Sequence, residues 1–395
     1  MKDSHGNTVP NVSVTFVVTG GATFAGGTLT SLIATTDNNG IATANLVSLV
    51  AGDHPVTATV GSNTTAAKNS TFVADETTAV IAATDFTVAS GAVADNSATN
   101  ALSATVKDAG GNTVPNISVT FAVTGGATFT GGTDTSLIAT TDNNGIATAE
   151  LVSLVAGDHP VTVTVGTHTT AAKNSTFIAD ETTAVIAATD FTVASGAVAN
   201  GTATNALSTT VKDAGGNTVP NISVTFTVTG GATFAGGTQT SLAVTTDNNG
   251  IATGELVSLV AGDHPVTATV GSNTTAAKNS TFVADETTAV IAATDFTVAS
   301  GAVADNSATN ALSATVKDRH GNTVPNVSVT FAVTGGATFA GGTQTSLTAT
   351  TDNNGVATAS LVSLVAGDHP VTVTVGTHTT AAKNSAFIAD ETTAV

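Results

Sequence analysis

The sequence contains no cysteine, tryptophan or tyrosine and a single methionine in 395 residues. Without cysteine it can form no disulfide, no thiolate-bound zinc site and no cysteine nucleophile. Nine Lys and Arg stand against 28 Asp and Glu, a net charge of −19. That balance leaves no basic patch to neutralise phosphates, so nucleic acid and anionic membrane surfaces are poor partners. Charged residues amount to only 9 %, far below the usual quarter. No apolar run is long enough to span a bilayer as a helix. The N-terminal stretch MKDSHGNTVPN has no apolar core of the kind a signal peptide needs. What is present is 41 % hydrophobic residues, with 15 Phe as the sole large aromatics. Apolar and β-branched residues are too abundant for a disordered chain.

The order of those residues repeats. The string GNTVPN has its first Asn at 7, 112, 217 and 322, a constant spacing of 105 residues. TDNNG keeps the same spacing with Asp at 37, 142, 247 and 352, and GDHP does so with Asp at 53, 158, 263 and 368. ADETTAV closes each copy, and the eight prolines are used up at two per copy. Solenoid units run to about 50 residues and cannot stand alone, whereas a unit of this size is a self-contained domain. The spacing therefore predicts four domains, at 1–79, 80–184, 185–289 and 290–395. Copies one and three share VTATVGSNTT and copies two and four share VTVTVGTHTT, as if a pair had been duplicated. Lys2-Asp3 aligns with Lys107-Asp108, so nothing before Met1 corresponds to about Val80–Thr105. The first copy is expected to lack its first strand and most of its second, as a fragment or a gene model begun inside a domain.

Within the second copy the pattern is that of strands. Ile117, Val119, Phe121 and Val123 alternate with polar or small residues, as in a half-buried strand, and Val161, Val163 and Val165 do the same. Phe86–Val88, Ala101–Val106, Leu137–Thr141, Ile146–Val152 and Ser175–Ala179 complete seven short strands. Asp142-Asn143-Asn144-Gly145 reads as a hairpin turn, because Asn and Gly tolerate positive φ. No segment has a helical period. Seven alternating strands in this length predict an all-β fold, an immunoglobulin-like antiparallel sandwich with Greek-key connections.

The run ALSATVKDAGGNTVPNISVTFAVTGG followed by TTDNNGIATAELVSLVAGDHPVTVTVG resembles the bacterial immunoglobulin-like domain, group 1. This is the module repeated in the intimin and invasin adhesins and other inverse autotransporters. The shared features are a strand ending in V-x-D, a G-N-x-V-P-N turn, a V-T-F strand, a T-D-x-N-G hairpin and a V-T-x-T-V strand. The resemblance covers nearly the whole chain. It implies a linear rod outside the cell, a stalk that carries an adhesive tip away from an outer-membrane barrel. Neither barrel nor tip is in this sequence. Partners on host or bacterial surfaces would then be met through the tip, and the membrane through the barrel. Absence of Cys suits a passenger that crosses two membranes unfolded. Four modules of about 35 Å would reach beyond about 130 Å.

The candidate site residues are few. His54, His159, His264 and His369, in GDHP, are the only histidines present in every copy. They stand where the resembled family often has an aromatic residue opening the strand, and are read as structural braces, much as in a tyrosine corner. A zinc site needs three or four converging ligands, and no second His recurs in every copy. His168 and His378 fall on a stretch read as an exposed loop, and His5 and His320 on a surface turn. Asp75, Glu76, Asp85 and Asp95 near the junction invite a calcium reading. Against it, the junction has no D-x-D-x-D series, and Asn200 replaces the acid in the third copy. A Lys–Asn isopeptide through Lys107 or Lys173 is the weakest candidate, since Lys107 reads as exposed. The Gly doublets lack the Lys-Ser/Thr of a phosphate loop, and no nucleophile motif occurs. The expectation is no enzyme, no cofactor, no metal, no small-molecule substrate and no nucleic acid. The alternatives are repeats that themselves bind a host or neighbouring-cell protein, and a calcium-stiffened rod.

Overall fold

The computed structural model describes residues 1–391, so the last four residues of the expected fourth copy lie outside the described region. Two compact units are present, Met1–Asp180 and Glu181–Val395. The structure is all-β, with only three-residue 3-10 turns such as Glu76–Thr78 and Ala83–Asp85 as helical elements among the described residues.

The second copy shows the plan. One sheet has four strands in the order Thr128–Phe129, Ile146–Val152, Asn100–Thr105 and Phe86–Val88. The other has six. Its path runs Ser136–Thr140, Ser118–Val123, Gly157–Val165, Lys173–Ile178 and Ala92–Val93, with His168–Thr169 paired to Gly157–Val165. The third and fourth copies repeat both sheets. Inward residues of the two sheets meet in one core, where Phe86, Leu102, Val119, Phe121, Leu151, Val163 and Phe177 are fully buried. The strict alternation of these positions with Thr and Ser is what places them on a single face.

Two features differ from the seven antiparallel strands expected. Ala92–Val93, Thr128–Phe129 and His168–Thr169 bring the count to ten. Two-residue strands are too short to carry a period, so alternation could not reveal them. His168 therefore sits at a hairpin end rather than in a loop, though it is exposed as expected. One pairing is also parallel: Phe177 lies opposite Ala92 and Ile178 opposite Val93. A parallel pair needs a long connection. No crossover helix is required here, because the whole sandwich lies between the two segments.

The first copy is the exception. Its larger sheet contains Ser13–Val18, Ser31–Thr35, Gly52–Val60, Asn63–Thr64 and Lys68–Phe72, but the other sheet is only Thr23–Phe24 paired with Leu46–Val47. Ile146–Val152 is a seven-residue strand along Asn100–Thr105. The equivalent residues 41–45 have no such partner and form no strand. Ile41 is consequently 56 % exposed, and Phe16 is only half-buried where Phe121 is fully enclosed.

Candidate functional site

The recurring turns converge where one copy meets the next. In Met1–Asp180, Asp108 follows the strand Asn100–Thr105 of the second copy and is 7 % exposed. Its Oδ1 accepts the backbone N–H groups of Gly110 at 2.9 Å and Asn112 at 2.8 Å, closing the turn. Its Oδ2 accepts the Asn112 Nδ2–H at 2.8 Å and the Asp75 backbone N–H at 3.0 Å. That carboxylate thus fixes the Asn112 side chain, which reaches back to the first copy. Asn112 Nδ2 donates to the Leu49 carbonyl at 2.8 Å, and Asn112 Oδ1 accepts the Ala51 N–H at 2.9 Å. Ala109 N–H adds a bond to Thr78 Oγ1 at 3.1 Å.

The same clamp recurs in Glu181–Val395. Asn322 donates to the Leu259 carbonyl at 2.9 Å and accepts the Ala261 N–H at 2.8 Å, while Asp318 accepts the Asp285 N–H at 3.1 Å. An amide is suited to the task because it offers a donor and an acceptor together, matching one C=O and one N–H of the same loop. The connecting segment is anchored too. Ala79 is buried in the second copy's core with Ala74 and Ile81 packed against it, and Ile291, Ala261 and Ala289 do the same for the fourth. Val80 and Lys107 exchange two backbone bonds, at 2.8 and 3.0 Å, as do Val290 and Lys317.

The recurrent histidine supports the loop that Asn112 grips. His54 is 1 % exposed, and its Nε2–H donates to the Val50 carbonyl at 2.8 Å, between the two residues that Asn112 contacts. Its ring meets Phe72 edge-on at 5.4 Å. In the second copy His159 repeats both contacts, and its Nδ1 accepts the Ala127 N–H at 3.2 Å. This arrangement is the brace read from GDHP. Its service to the junction was not legible, because Asn112 takes the loop SLVAG through the backbone of Leu49 and Ala51, which no side chain marks.

The acids have individual partners. Asp75 caps the turn Glu76–Thr78 through Thr77, Asp85 pairs with Lys107 at 2.8 Å, and Asp95 caps the N–H groups of Ser97 and Ala98. Asn200 accepts the equivalent N–H groups of Thr202 and Ala203 at 2.9 Å, so a neutral amide does the same capping. Among the described residues no three His, Asp or Glu converge on one point. Lys107, read as exposed, is engaged with Asp85, and Lys173 donates to two backbone carbonyls. His5 and His320 are exposed.

Burial opposes ionisation of Asp108 and Asp318, but the hydrogen bonds from Asn112 or Asn322 and from backbone N–H groups outweigh it, and both carboxyls titrate below the ordinary aspartate value. A folded pKa below the unfolded value of about 3.9 adds stability above that pH and loses it as pH falls further. The hairpin residues Asp37, Asp142, Asp247 and Asp352 shift the same way through backbone hydrogen bonds, led by those from Ile41, Ile146, Ile251 and Val356. Thermal melts from pH 6 to about pH 2.5 should therefore show a falling melting temperature below about pH 4. The Asp318→Asn variant should flatten part of that fall; an unchanged profile would exclude the junction carboxylate from it.

A model of the bacterial Ig-like domain (group 1) matches residues 1–73, 83–178, 188–283 and 293–388. The inverse autotransporter adhesin YeeJ of Escherichia coli strain K12 is 31 % identical over 376 residues, 94 % of this chain. The chain spans only 15 % of that adhesin's length. Among solved structures, InvD of Yersinia pseudotuberculosis aligns with a TM-score of 0.51 at 18 % identity, covering 78 % of this chain and 98 % of that one. The Escherichia coli adhesin FdeC aligns with a TM-score of 0.50 at 20 % identity, covering 81 % and 100 %. At that identity the two structures speak for the fold alone.

Proposed function

The chain belongs to the bacterial Ig-like domain (group 1) family, and on that premise we propose that its repeats are the stalk of a bacterial cell-surface adhesin of the intimin and invasin type. The observation that carries the reading is the clamp between successive copies. Flexible linkers would let domains move independently, which is the default for small inter-domain contacts. Here four hydrogen bonds and a linker anchored by buried Ala79 tie the second copy to the first. The same Asp–Asn pair does so for the fourth and third. Identical couplings add length without adding chemistry, and that is what a spacer requires. The 31 % identity to an adhesin over nearly the whole chain supports the same reading.

In this reading adhesion belongs to another part of the protein, the location is the outer surface of the outer membrane, and the chain catalyses nothing. The family relationship favours a non-enzymatic protein. Fluorescently labelled full-length chain, added to cultured epithelial cells, should bind only weakly and without saturation. Saturable binding displaced by unlabelled chain would contradict the spacer reading and favour repeats that are adhesive themselves.

A further inference from the structure

The two ends of each complete copy lie side by side and run in the same direction. In the second copy Lys173 Nζ donates to the carbonyls of Ala83 at 2.9 Å and Phe86 at 2.6 Å, and sits 5.8 Å from the Phe86 ring centroid. Ser175 Oγ donates to the Ala89 carbonyl at 3.0 Å, and the Thr176 N–H to Ser90 Oγ at 3.0 Å. The Gly91 N–H then donates to the Thr176 carbonyl and the Ala94 N–H to the Ile178 carbonyl, both at 2.8 Å. Each step forward along residues 173–178 meets a step forward along residues 83–94, which makes this a parallel seam that alternates side-chain and backbone bonds. Lys278, Ser280 and Thr281 build it again on residues 188–199, and Lys383, Ser385 and Ala386 on residues 293–304.

We infer that this seam is a clamp that resists tension, which gives the complete copies a mechanical function. The argument needs only chain direction and stands whether or not the stalk reading is correct. Tension along the chain pulls residues 83–94 toward the N-terminus and residues 173–178 toward the C-terminus. Two parallel segments drawn apart in that way slide along each other, so all their bonds resist together. Antiparallel neighbours pulled from one end would instead open bond by bond. Rupture under force follows the unfolding rate, so the seam sets resistance to tension rather than equilibrium stability. Lys173 and Ser175 supply side-chain bonds in addition to the ladder. The first copy provides an internal contrast. Its Lys68–Phe72 strand pairs only with Gly52–Val60, and Lys68 is exposed.

Single-molecule stretching of the full chain held by its two ends tests this. Three high-force ruptures are expected, each releasing about 300 Å for roughly 96 residues at about 3.5 Å per residue. The first copy should yield at clearly lower force. The double substitution Lys278→Met, Ser280→Ala should move one of the three events to lower force and leave the other two in place. A control, Phe234→Leu, weakens the same copy on the opposite sheet and should lower its melting temperature with little change in rupture force. Three ruptures untouched by the double substitution would overturn the inference. So would equal forces in all four copies, or a control that lowers the force as much.

Discussion

Truncating Phe331 to alanine should unfold the fourth copy about 15–30 °C below the others, at about 3–5 kcal/mol for the lost side chain. Phe331 is wholly buried on Ser328–Val333. It lies opposite Leu347 on one neighbouring strand and Val373 on the other, with the Phe296 ring 6.4 Å away across the sandwich. The neighbouring Phe296 and Phe339 are themselves buried in this core, so closing the cavity would draw them out of their own packing. A domain of this size holds about 5–15 kcal/mol in all, and the loss is a large share of it. The equivalent change in the first copy, Phe16→Ala, should cost only about 1–2 kcal/mol, because half-buried Phe16 has less contact to lose. Differential scanning calorimetry of both variants reads the contrast. Equal shifts would mean that the face of Phe16 is as well covered as that of Phe331.

Replacing Asn322 by alanine should cost about 2 kcal/mol locally and loosen the junction while both sandwiches stay folded. The Asn322 amide contacts the Leu259 carbonyl, the Ala261 N–H and Asp318 Oδ2, all within 2.9 Å. Alanine leaves all three without that partner, and the Asp318 carboxylate loses the amide that supports its charge. Hydrogen exchange at the Ala261 amide should accelerate by roughly thirtyfold, the equivalent of about 2 kcal/mol. The amides of Val329 and Val373, deep in the fourth copy, should keep their protection. If they lost it as well, the clamp would be part of the domain fold and not a coupling between domains.

Much of the fold was legible because the sequence repeats its own punctuation. The alternation of Val119, Phe121 and Val123 located a strand and its buried face, and Asp142–Gly145 located a hairpin. In that hairpin Asp142 Oδ1 accepts the N–H groups of Asn144 and Ile146, and Gly145 takes φ +74°. A Cβ on Gly145 would come within 2.8 Å of Thr113, so glycine is required by space as well as by conformation. The alternation of Val161, Val163 and Val165 marks the strand containing His159 only from Val161. That strand begins at Gly157, and Pro160 is accommodated opposite Asn174.

What local pattern could not supply was partnership at a distance. Asn112 was read as part of a turn, and it is one. Its amide finds Leu49 63 residues earlier, and no period within a strand encodes that contact. The parallel pairing of Ala92 with Phe177 was hidden for the same reason, and at two residues the strand gave no alternation to read. The histidine brace was legible as packing, whereas the loop it holds acquires a purpose only when the next copy is placed against it.

The absence of cysteine makes the central claim directly measurable, since two introduced thiols would be the only ones. Thr253→Cys and Thr358→Cys place spin labels on exposed strand positions of the third and fourth copies. Pulsed electron–electron distance measurement on the full chain should give one narrow distribution, and adding Asn322→Ala should broaden it. A broad distribution in the chain with Asn322 intact, or a narrow one that the substitution leaves unchanged, would contradict a junction held by the Asp318–Asn322 clamp.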